Sequence, residues 1–255
     1  ADESPAGHEV AGEIVDVGKG VNKDHVGQRV AIEILGSGRA CGTCWFCRIG
    51  QYTHCAAKSA VGGGGFAEYL SRKIRGCYPL DDVLTWSEGA LVEPLAVSIH
   101  GARVGNLKGG DTVAILGAGN IGLTAVVAAR QLGAGKIFVT ARHKQQADMA
   151  LALGADVTAS SEGDELEHLL LDATEGRGAD LTIETVGGTS GATLTQSIDV
   201  TRRQGRIVIL GVFYGTHGID WMPPILKEHS IHFSMCYGIL DGNHDFETAI
   251  EMLSS

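Results

Sequence analysis

The stretch Thr112-Val-Ala-Ile-Leu-Gly-Ala-Gly-Asn-Ile-Gly122 decides the fold of this chain. Its first five residues predict a buried strand, and a helical pattern follows at Ile121–Leu132. Between them stands Gly-x-Gly-x-x-Gly, a pattern that is informative only between a strand and a helix. Gly117 allows the tight turn, Gly119 lets a pyrophosphate approach the backbone, and Gly122 lets the helix pack on the strand. The stretch predicts a dinucleotide site at the helix N-terminus; a glycine-rich turn without ligand is the alternative.

Strand and helix patterns alternate over most of the chain. Strands are predicted at Thr112–Leu116, Lys136–Thr140, around Val157, Leu181–Glu184, Arg206–Leu210 and Ile231–Met235. Helical patterns lie at Ile121–Leu132, Lys144–Leu153, Asp164–Ala173, Ala192–Arg202 and Asp245–Leu253, and an earlier one begins at Ser87. This alternation predicts an α/β fold with a parallel sheet covered by helices. We therefore expect residues 86–255 to form a doubly wound dinucleotide-binding domain.

Residues 1–85 have a different pattern, in which short strands are separated by turns. Strands are predicted at Val10–Val17, Arg29–Ile34 and Phe66–Leu70, the last of them opened by glycines 62–65. Many short strands are typical of a small barrel or sandwich-like domain. Two domains also suit a length of 255 residues, at about 150 residues per domain.

The composition limits what the chain can bind. Hydrophobic residues make up 44% and charged residues 20%, enough apolar material for a folded core. The net charge is -10 and no basic face is evident, so we expect no nucleic-acid partner. The longest apolar stretch, Ile121–Ala129, is too short to cross a bilayer, and no signal-peptide pattern opens the sequence. We expect a cytoplasmic protein that acts on a small molecule and not at a membrane.

Four of the six cysteines follow the pattern C-x2-C-x2-C-x7-C, at Cys41, Cys44, Cys47 and Cys55. Thiolates at this spacing can converge on one tetrahedral zinc ion, and an ion with four protein ligands is structural. Disulfides and an iron–sulfur cluster are the alternatives. A long chain with clumped cysteines is not typical of a disulfide scaffold. Cys77 and Cys236 have no partner pattern and are expected to be small buried residues.

Taken together, the motifs resemble the zinc-dependent medium-chain alcohol and polyol dehydrogenases, in the sorbitol and threonine dehydrogenase branch. The matching stretches are Gly7-His8-Glu9, the four cysteines, Gly64–Tyr69, Leu91-Val-Glu93-Pro94, the turn 117–122 and Glu184-Thr-Val-Gly187. The resemblance covers nearly the whole chain. It implies a GroES-like catalytic domain in residues 1–85, and in residues 86–255 a Rossmann domain with the start of a C-terminal return. It also implies a homodimer or a homotetramer.

The resemblance further implies a catalytic zinc in the cleft between the two domains. His8 would be a direct ligand, Glu9 a ligand or an exchanging one, and Glu93 a ligand or a close neighbour of the ligands. The family's catalytic cysteine has no counterpart, because the seven residues before His8 contain none. The family's last strands have no counterpart after Ser255 either. We therefore expect a fragment truncated at both ends, with catalytic zinc binding weakened or lost.

The residues by themselves support this zinc site less strongly. A strand would point His8 and Glu9 to opposite faces, whereas a turn would let both reach one metal; a solvated surface pair is the alternative. Glu93 lies in the apolar run ALVEPLAV, where a charge needs a partner such as a metal. Pro94 is expected to break the local ladder of helical hydrogen bonds, which would let the Glu93 carboxylate be re-aimed. Residues expected to cap or pack rather than to bind are His100, Phe66, Trp86, Tyr214 and Trp221.

The residues after Lys136–Thr140 indicate which dinucleotide is bound. In units that bind NAD, an acid at the end of this strand bonds to the ribose 2′-hydroxyl. Here Ala141, Arg142, His143 and Lys144 follow, and no acid occurs before Asp148. The missing carboxylate and the adjacent cations favour NADP over NAD, with a basic, solvated helix start as the alternative. Residues expected to contact the cofactor are Gly117, Gly119, Asn120, Ile121, Gly122, Ala141, Arg142, His143, Val186 and Gly211.

These inferences combine into one hypothesis of function. The chain transfers hydride between an alcohol or polyol and NADP or NAD, and a zinc ion held by His8, Glu9 and Glu93 acts as Lewis acid. One alternative is a dinucleotide-binding protein with structural zinc only, which the missing cysteine supports. Another is a zinc-free reductase of the same superfamily, against which the four cysteines and Gly7-His8-Glu9 argue.

Overall fold

The computed structural model describes residues 7–59 and 64–255, and the chain divides into two compact units. The sheet unit is Ser98–Met235, and the N-terminal unit combines Ala1–Val97 with Cys236–Ser255. The division falls within the helix Trp86–Val104. The last twenty residues therefore pack with the N-terminal part of the chain. The expected domain boundary between residues 85 and 86 stays a prediction.

The elements of both units follow one another in this order along the chain. The strands are β1 (Ala11–Glu13), β2 (Arg29–Ile32), β3 (Cys77–Pro79), β4 (Thr112–Leu116), β5 (Lys136–Ala141), β6 (Val157–Ser160), β7 (Ala179–Glu184), β8 (Thr201–Ile209), β9 (Ser230–Phe233), β10 (Ile239–Leu240) and β11 (Asn243–His244). The α-helices are α1 (Trp45–Arg48), α2 (Trp86–Val104), α3 (Asn120–Gln131), α4 (Lys144–Ala152), α5 (Glu165–Ala173), α6 (Ala192–Val200), α7 (Met222–Leu226) and α8 (Asp245–Ser254). Among the described residues, no helix has the length and apolar character that a bilayer crossing requires.

The sheet unit is built on a parallel sheet with the strand order β6-β5-β4-β7-β8-β9. The order reverses at β4, from which the chain builds first one side of the sheet and then the other. Doubly wound dinucleotide-binding folds have this order, and they bind ligands at the carboxyl ends of the strands beside the reversal. The predicted α/β fold class is confirmed.

The apolar runs of the central strands are explained by burial on both faces of the sheet. Val113 and Ile115 of β4 pack with Val126 of α3 on one face. The alternate residues Ala114 and Leu116 pack with the α5 face on the other side. Because successive side chains point to opposite faces, a strand covered by helices on both sides must be apolar throughout.

The N-terminal unit contains an antiparallel sheet with the order β1-β2-β3 among its described residues. The strand expected at Val10–Val17 is reduced to β1, since only Ala11 to Glu13 pair with β2. The strand expected at Phe66–Leu70 is wrong. Residues 66–70 pair with no strand, and Phe66 is 87% exposed. Alternation of side chains predicts which face a strand would bury, but a strand also needs a partner edge. Gly62 and Gly63 lie outside the described residues.

A buried polar chain joins the sheet of the N-terminal unit to its C-terminal segment. The carboxylate of Glu33, which is fully buried, accepts hydrogen bonds from the Ser37 hydroxyl and from the Tyr78 hydroxyl at 2.8 Å. The Tyr78 oxygen lies 2.9 Å from Nε2 of His244. His244 Nδ1 accepts from the Phe246 N–H at 3.1 Å and so caps α8. A neutral His244 ring therefore carries its proton on Nε2 and donates it to Tyr78.

Burial raises the pKa of Glu33, although hydrogen bonds from Ser37 and Tyr78 oppose the shift, and the Asp245 charge adds to it. A raised pKa means that the folded protein holds this proton more tightly than the unfolded chain. The resulting stability is fully present below the ordinary carboxyl pKa and is lost as pH rises through the raised value, at about 1.4 kcal/mol per pH unit between the two.

We therefore expect Glu33→Gln to remove this loss, because the amide keeps the volume without the charge. Urea unfolding of wild type and variant from about pH 5 to about pH 8 measures the difference between their free energies of unfolding. That difference should shift in favour of the variant as pH rises. Parallel pH profiles would show that Glu33 titrates alike in the folded and unfolded chains.

Candidate functional site

The glycine turn between β4 and α3 has the geometry of a phosphate-binding turn. Gly117 has φ of +96°, a conformation that side chains rarely adopt. A Cβ on Gly122 would lie 2.0 Å from the Gly117 carbonyl oxygen, so the helix packs directly on the turn. A Cβ on Gly119 would have no neighbour within 4 Å, which leaves its backbone open to a ligand. The open side lies at the N-terminus of α3, and the backbone N–H groups at a helix N-terminus attract phosphate.

Two threonines that sequence reasoning missed hold this turn in place. The Thr140 hydroxyl, at the end of β5, accepts from the Gly117 N–H at 2.8 Å. The Thr185 hydroxyl, after β7, donates to the Leu116 carbonyl at 2.7 Å. Both side chains come from neighbouring strands, so only the sheet order reveals their role. They fix the backbone that would face the pyrophosphate.

A buried acid shapes the second cofactor segment. Glu184 is fully buried, and its Oε1 accepts from the N–H groups of Val186 and Gly187 at 2.9 and 3.0 Å. The turn therefore presents Val186 outward, where it is 49% exposed. A Cβ on Gly211 would lie 2.3 Å from Oε2 of Glu184, so this position has room only for glycine. Val186 and Gly211 both follow the carboxyl ends of sheet strands, as expected for a ligand edge.

Two cationic side chains follow β5: Arg142 is exposed, and Lys144 is paired with an acid. Ala141 is the last residue of β5, and Arg142 and His143 are exposed. Lys144 pairs with Asp148 one turn further along α4, with Nζ–oxygen distances of 2.6 and 2.7 Å. Among the described residues, the Arg142 side chain makes no hydrogen bond or ion pair. Arg142 is therefore the cation best placed to meet a ribose phosphate.

The four cysteine sulfurs converge in the N-terminal unit, all within 4.8 Å of one another. The Sγ of Cys47 lies 3.8 Å from that of Cys41 and 3.5 Å from that of Cys44. Four sulfurs at 2.3 Å from a tetrahedral zinc would be about 3.8 Å apart. The four thiols therefore fit a zinc ion, and the positions are too far apart for S–S bonds of about 2 Å.

The surroundings of these thiols favour anionic sulfur at one position and oppose it at another. The Thr43 hydroxyl and N–H, with the Cys44 N–H, lower the pKa of Cys41 to about 5. Burial, together with the neighbouring thiols, raises the pKa of Cys47 to about 12. Four thiolates cannot share this space without a cation, and a bound zinc ion would supply it.

A second group of possible ligands lies at the start of the chain and in α2. Donor atoms of His8, Glu9 and Glu93 lie within 4.8 Å of one another. His8 Nε2 is 3.9 Å from Glu93 Oε1. His8 and Glu9 lie outside the strands, so both side chains can reach one point, as a turn would allow. We refer to these three residues as the His–Glu cluster.

Glu93 is the buried member of the cluster, with 3% of its surface exposed. Burial and the Glu9 charge raise the pKa of Glu93 to about 8, although the Tyr237 hydroxyl lowers it in part. Pro94 lies inside α2, which continues to Val104. A proline has no N–H group, so the helical ladder lacks one donor at this position. A buried carboxylate beside a second carboxylate fits a bound cation.

The remaining candidates from the sequence do not join either cluster. His100 is buried within α2, at 5% exposure. Phe66, Trp86, Tyr214 and Trp221 all lie on the surface, with 47% to 87% of each exposed. The Arg29 guanidinium stacks on Trp86 at 4.4 Å.

Comparison with known proteins assigns both parts of the chain. Residues 3–82 match the alcohol dehydrogenase GroES-like domain, and residues 120–255 match zinc-binding dehydrogenase. Sorbitol dehydrogenase of Bacillus subtilis (strain 168) is 35% identical over 254 residues, which cover 98% of this chain and 69% of that protein. Among the curated relatives compared, the chain spans between 60% and 70% of their length.

Of two solved structures similar to this chain, one is bound to NADP and the other is complexed with NADH. A zinc-binding dehydrogenase of Sinorhizobium meliloti 1021 bound to NADP has a TM-score of 0.82 and 29% identity, covering all of this chain and 73% of that one. An alcohol dehydrogenase of Escherichia coli CFT073 complexed with NADH has a TM-score of 0.80 and 25% identity, covering 97% of this chain and 71% of that one.

We expect Cys47→Ser to lose about one zinc per chain and to lower the melting temperature, because a closed site of four thiolates loses one ligand. Zinc content by mass spectrometry and thermal unfolding measure the two effects. Cys77→Ser is the matched control, since Cys77 lies in β3 outside the cluster. Unchanged zinc in Cys47→Ser would contradict the assignment of the four cysteines.

Proposed function

Because this chain belongs to the zinc-binding dehydrogenases with an alcohol dehydrogenase GroES-like domain, we propose that it oxidises an alcohol or polyol reversibly, with NADP or NAD as the hydride acceptor. The observation that carries the proposal is the convergence of His8, Glu9 and Glu93 within 4.8 Å around a buried carboxyl. The sorbitol dehydrogenase relative supports a polyol substrate.

His8, Glu9 and Glu93 would hold the catalytic zinc, and the residues of the glycine turn would hold the dinucleotide. When bound, zinc supplies a Lewis acid for the substrate oxygen, and the dinucleotide supplies the hydride acceptor. Glu93 offers a buried carboxyl oxygen, and His8 offers an imidazole nitrogen 3.9 Å from it. Glu9 is exposed, so it can enter or leave the ligand set as the substrate binds.

The four cysteines would hold a structural zinc, since four protein donors leave no open position for a substrate. The His–Glu cluster favours the enzyme over a dinucleotide-binding protein with structural zinc alone, because that protein would need no second group of convergent donors. Both clusters also argue against a zinc-free reductase.

We propose NADP as the preferred cofactor. Arg142 is the exposed cation next to Ala141, the position where an NAD-binding unit would carry an acid. A guanidinium can bind a 2′-phosphate with two hydrogen bonds. Solved relatives with NADP and with NADH are both similar to this chain, so the support comes from Arg142 and Ala141 rather than from the comparisons.

The domain boundaries, the location in the cell, the oligomeric state and the partners are also proposals. We propose a catalytic domain in residues 1–85 and a dinucleotide domain in residues 86–255, in a cytoplasmic homodimer or homotetramer without nucleic-acid or membrane partners. The GroES-like match over residues 3–82 supports the domain assignment. The negative net charge of -10 supports the absence of a nucleic-acid partner.

We expect Glu93→Ala to lower turnover at least about 10-fold, because the site loses its buried carboxyl donor. NADP affinity should stay at the wild-type value, since the glycine turn belongs to the other compact unit. Steady-state rates with a panel of polyols and cofactor titrations measure the two effects. Glu247→Ala removes an exposed acid from α8 of the same unit and should leave the rates unchanged. Undiminished activity of Glu93→Ala would show that Glu93 is only a structural residue of α2.

Arg142→Ala should weaken NADP binding roughly 10- to 150-fold, which corresponds to one charge-assisted contact of about 1.5–3 kcal/mol, and should leave NAD binding nearly unchanged. Fluorescence titrations with each cofactor measure the change. Lys144→Ala is the matched control, because Asp148 already neutralises Lys144. The proposal fails if wild type prefers NAD, or if Arg142→Ala affects both cofactors equally.

A further inference from the structure

Tyr237 is a buried tyrosine whose hydroxyl has no partner in an ordinary hydrogen bond. The residue is 1% exposed, and its oxygen makes no hydrogen bond of normal geometry among the described residues. The nearby carboxyls of Glu93 and Glu33 both interact with this side chain. Burying a hydroxyl without a hydrogen bond of normal geometry costs stability, so its place near the buried Glu93 carboxyl points to a function.

The backbone around Tyr237 is held by the chain between the third and fourth cysteines. The Thr53 hydroxyl donates to the Tyr237 carbonyl at 3.2 Å. The Ile239 N–H donates to the Gly50 carbonyl at 3.1 Å. A Cβ on Gly50 would lie 2.4 Å from Cβ of Ile239, so the two segments approach as closely as glycine permits. Thr53 and Gly50 lie two residues before Cys55 and three residues after Cys47.

The segment that carries Tyr237 is fixed at both ends as well. Cys236, just before it, has φ of +55°, a left-handed conformation that is strained for cysteine. Asp245 is fully buried, and its carboxylate accepts from the Gly238 N–H at 2.9 Å. The Tyr237 ring packs edge-on against Phe246 at 4.7 Å. Strain that persists beside so many fixed contacts is typical of a functional segment.

We propose that Tyr237 is a positioning residue for Glu93, and that the four-cysteine segment, residues 41–55, holds Tyr237 in place. The inference rests on the proposed function, because it concerns the zinc that His8, Glu9 and Glu93 would bind. The hydroxyl orients the buried carboxylate toward His8 and Glu9, as groups next to metal ligands commonly do. The two zinc sites are then coupled: the structural site stabilises the segment that prepares the catalytic site.

Metal titration of the full chain tests this role without relying on activity. Cobalt(II) is added to the metal-free protein in competition with a chelator of known affinity. Thiolate-to-cobalt charge-transfer absorption reports the cysteine site, and native mass spectrometry counts all bound cobalt. We expect two cobalt ions in wild type. In Tyr237→Phe we expect an unchanged charge-transfer titration and melting temperature, and second-site affinity that is lower by roughly 10-fold or more.

Each other outcome of this titration overturns the inference in a distinguishable way. If Tyr237→Phe binds both ions with wild-type affinity, the inference fails and the proposed function stands. If Tyr237→Phe loses both ions, Tyr237 serves folding rather than positioning. If wild type binds cobalt only at the cysteines, the proposed catalytic site fails and the inference fails with it.

A second pair of variants tests the contact with the cysteine segment. Thr53→Val removes the donor to the Tyr237 carbonyl, and Thr53→Ser keeps it. The valine variant should weaken the second cobalt site roughly 2- to 10-fold, as expected for one hydrogen bond, and the serine variant should restore it. Equal second-site affinity in both variants would overturn the coupling between the two sites.

Discussion

Donor groups converge at two points of the N-terminal unit, and each point brings like charges together: thiolates at one, and the Glu9 and Glu93 carboxylates at the other. Four cysteine sulfurs lie within 4.8 Å of one another, and so do donor atoms of His8, Glu9 and Glu93. Two like charges about 4 Å apart repel by about 4 kcal/mol at an effective dielectric constant of 20, and burial adds a desolvation cost. The raised pKa values of Cys47, about 12, and of Glu93, about 8, express this cost. A divalent cation at each point would reverse this balance, as we propose for both clusters.

The same constraint explains why the last twenty residues pack with the first part of the chain. They bring no ligand of their own to either cluster, yet they bury Tyr237 near Glu93 and insert His244 into the chain of hydrogen bonds that ends at Glu33. A sheet of three short strands has little core to hold charged groups in place. Hydrogen bonds between the four-cysteine segment, residues 41–55, and the C-terminal segment add to the contacts that hold this unit together.

Much of the sheet unit could be predicted from the sequence, because its signals are local. Strand β4 is an apolar run, the glycines follow it directly, and α3 begins within the turn. The four-cysteine cluster could be predicted from the spacing of Cys41–Cys55. The His–Glu cluster could be predicted mainly from the resemblance to a known family. Tyr237, Thr140 and Glu33 were missed, since each acts on residues distant in sequence. The strand predicted at Phe66–Leu70 was wrong, because a strand also needs a partner edge.

Metal binding at both clusters is tested most directly by a crystal structure of the zinc-loaded protein with an anomalous map at the zinc edge. We expect two peaks, one about 2.3 Å from the sulfurs of all four cysteines and one about 2.0–2.2 Å from His8 nitrogen and Glu93 oxygen. Coordinates that show zinc at the cysteines, but none at His8 and Glu93 in protein saturated with the metal, would contradict metal binding at both clusters.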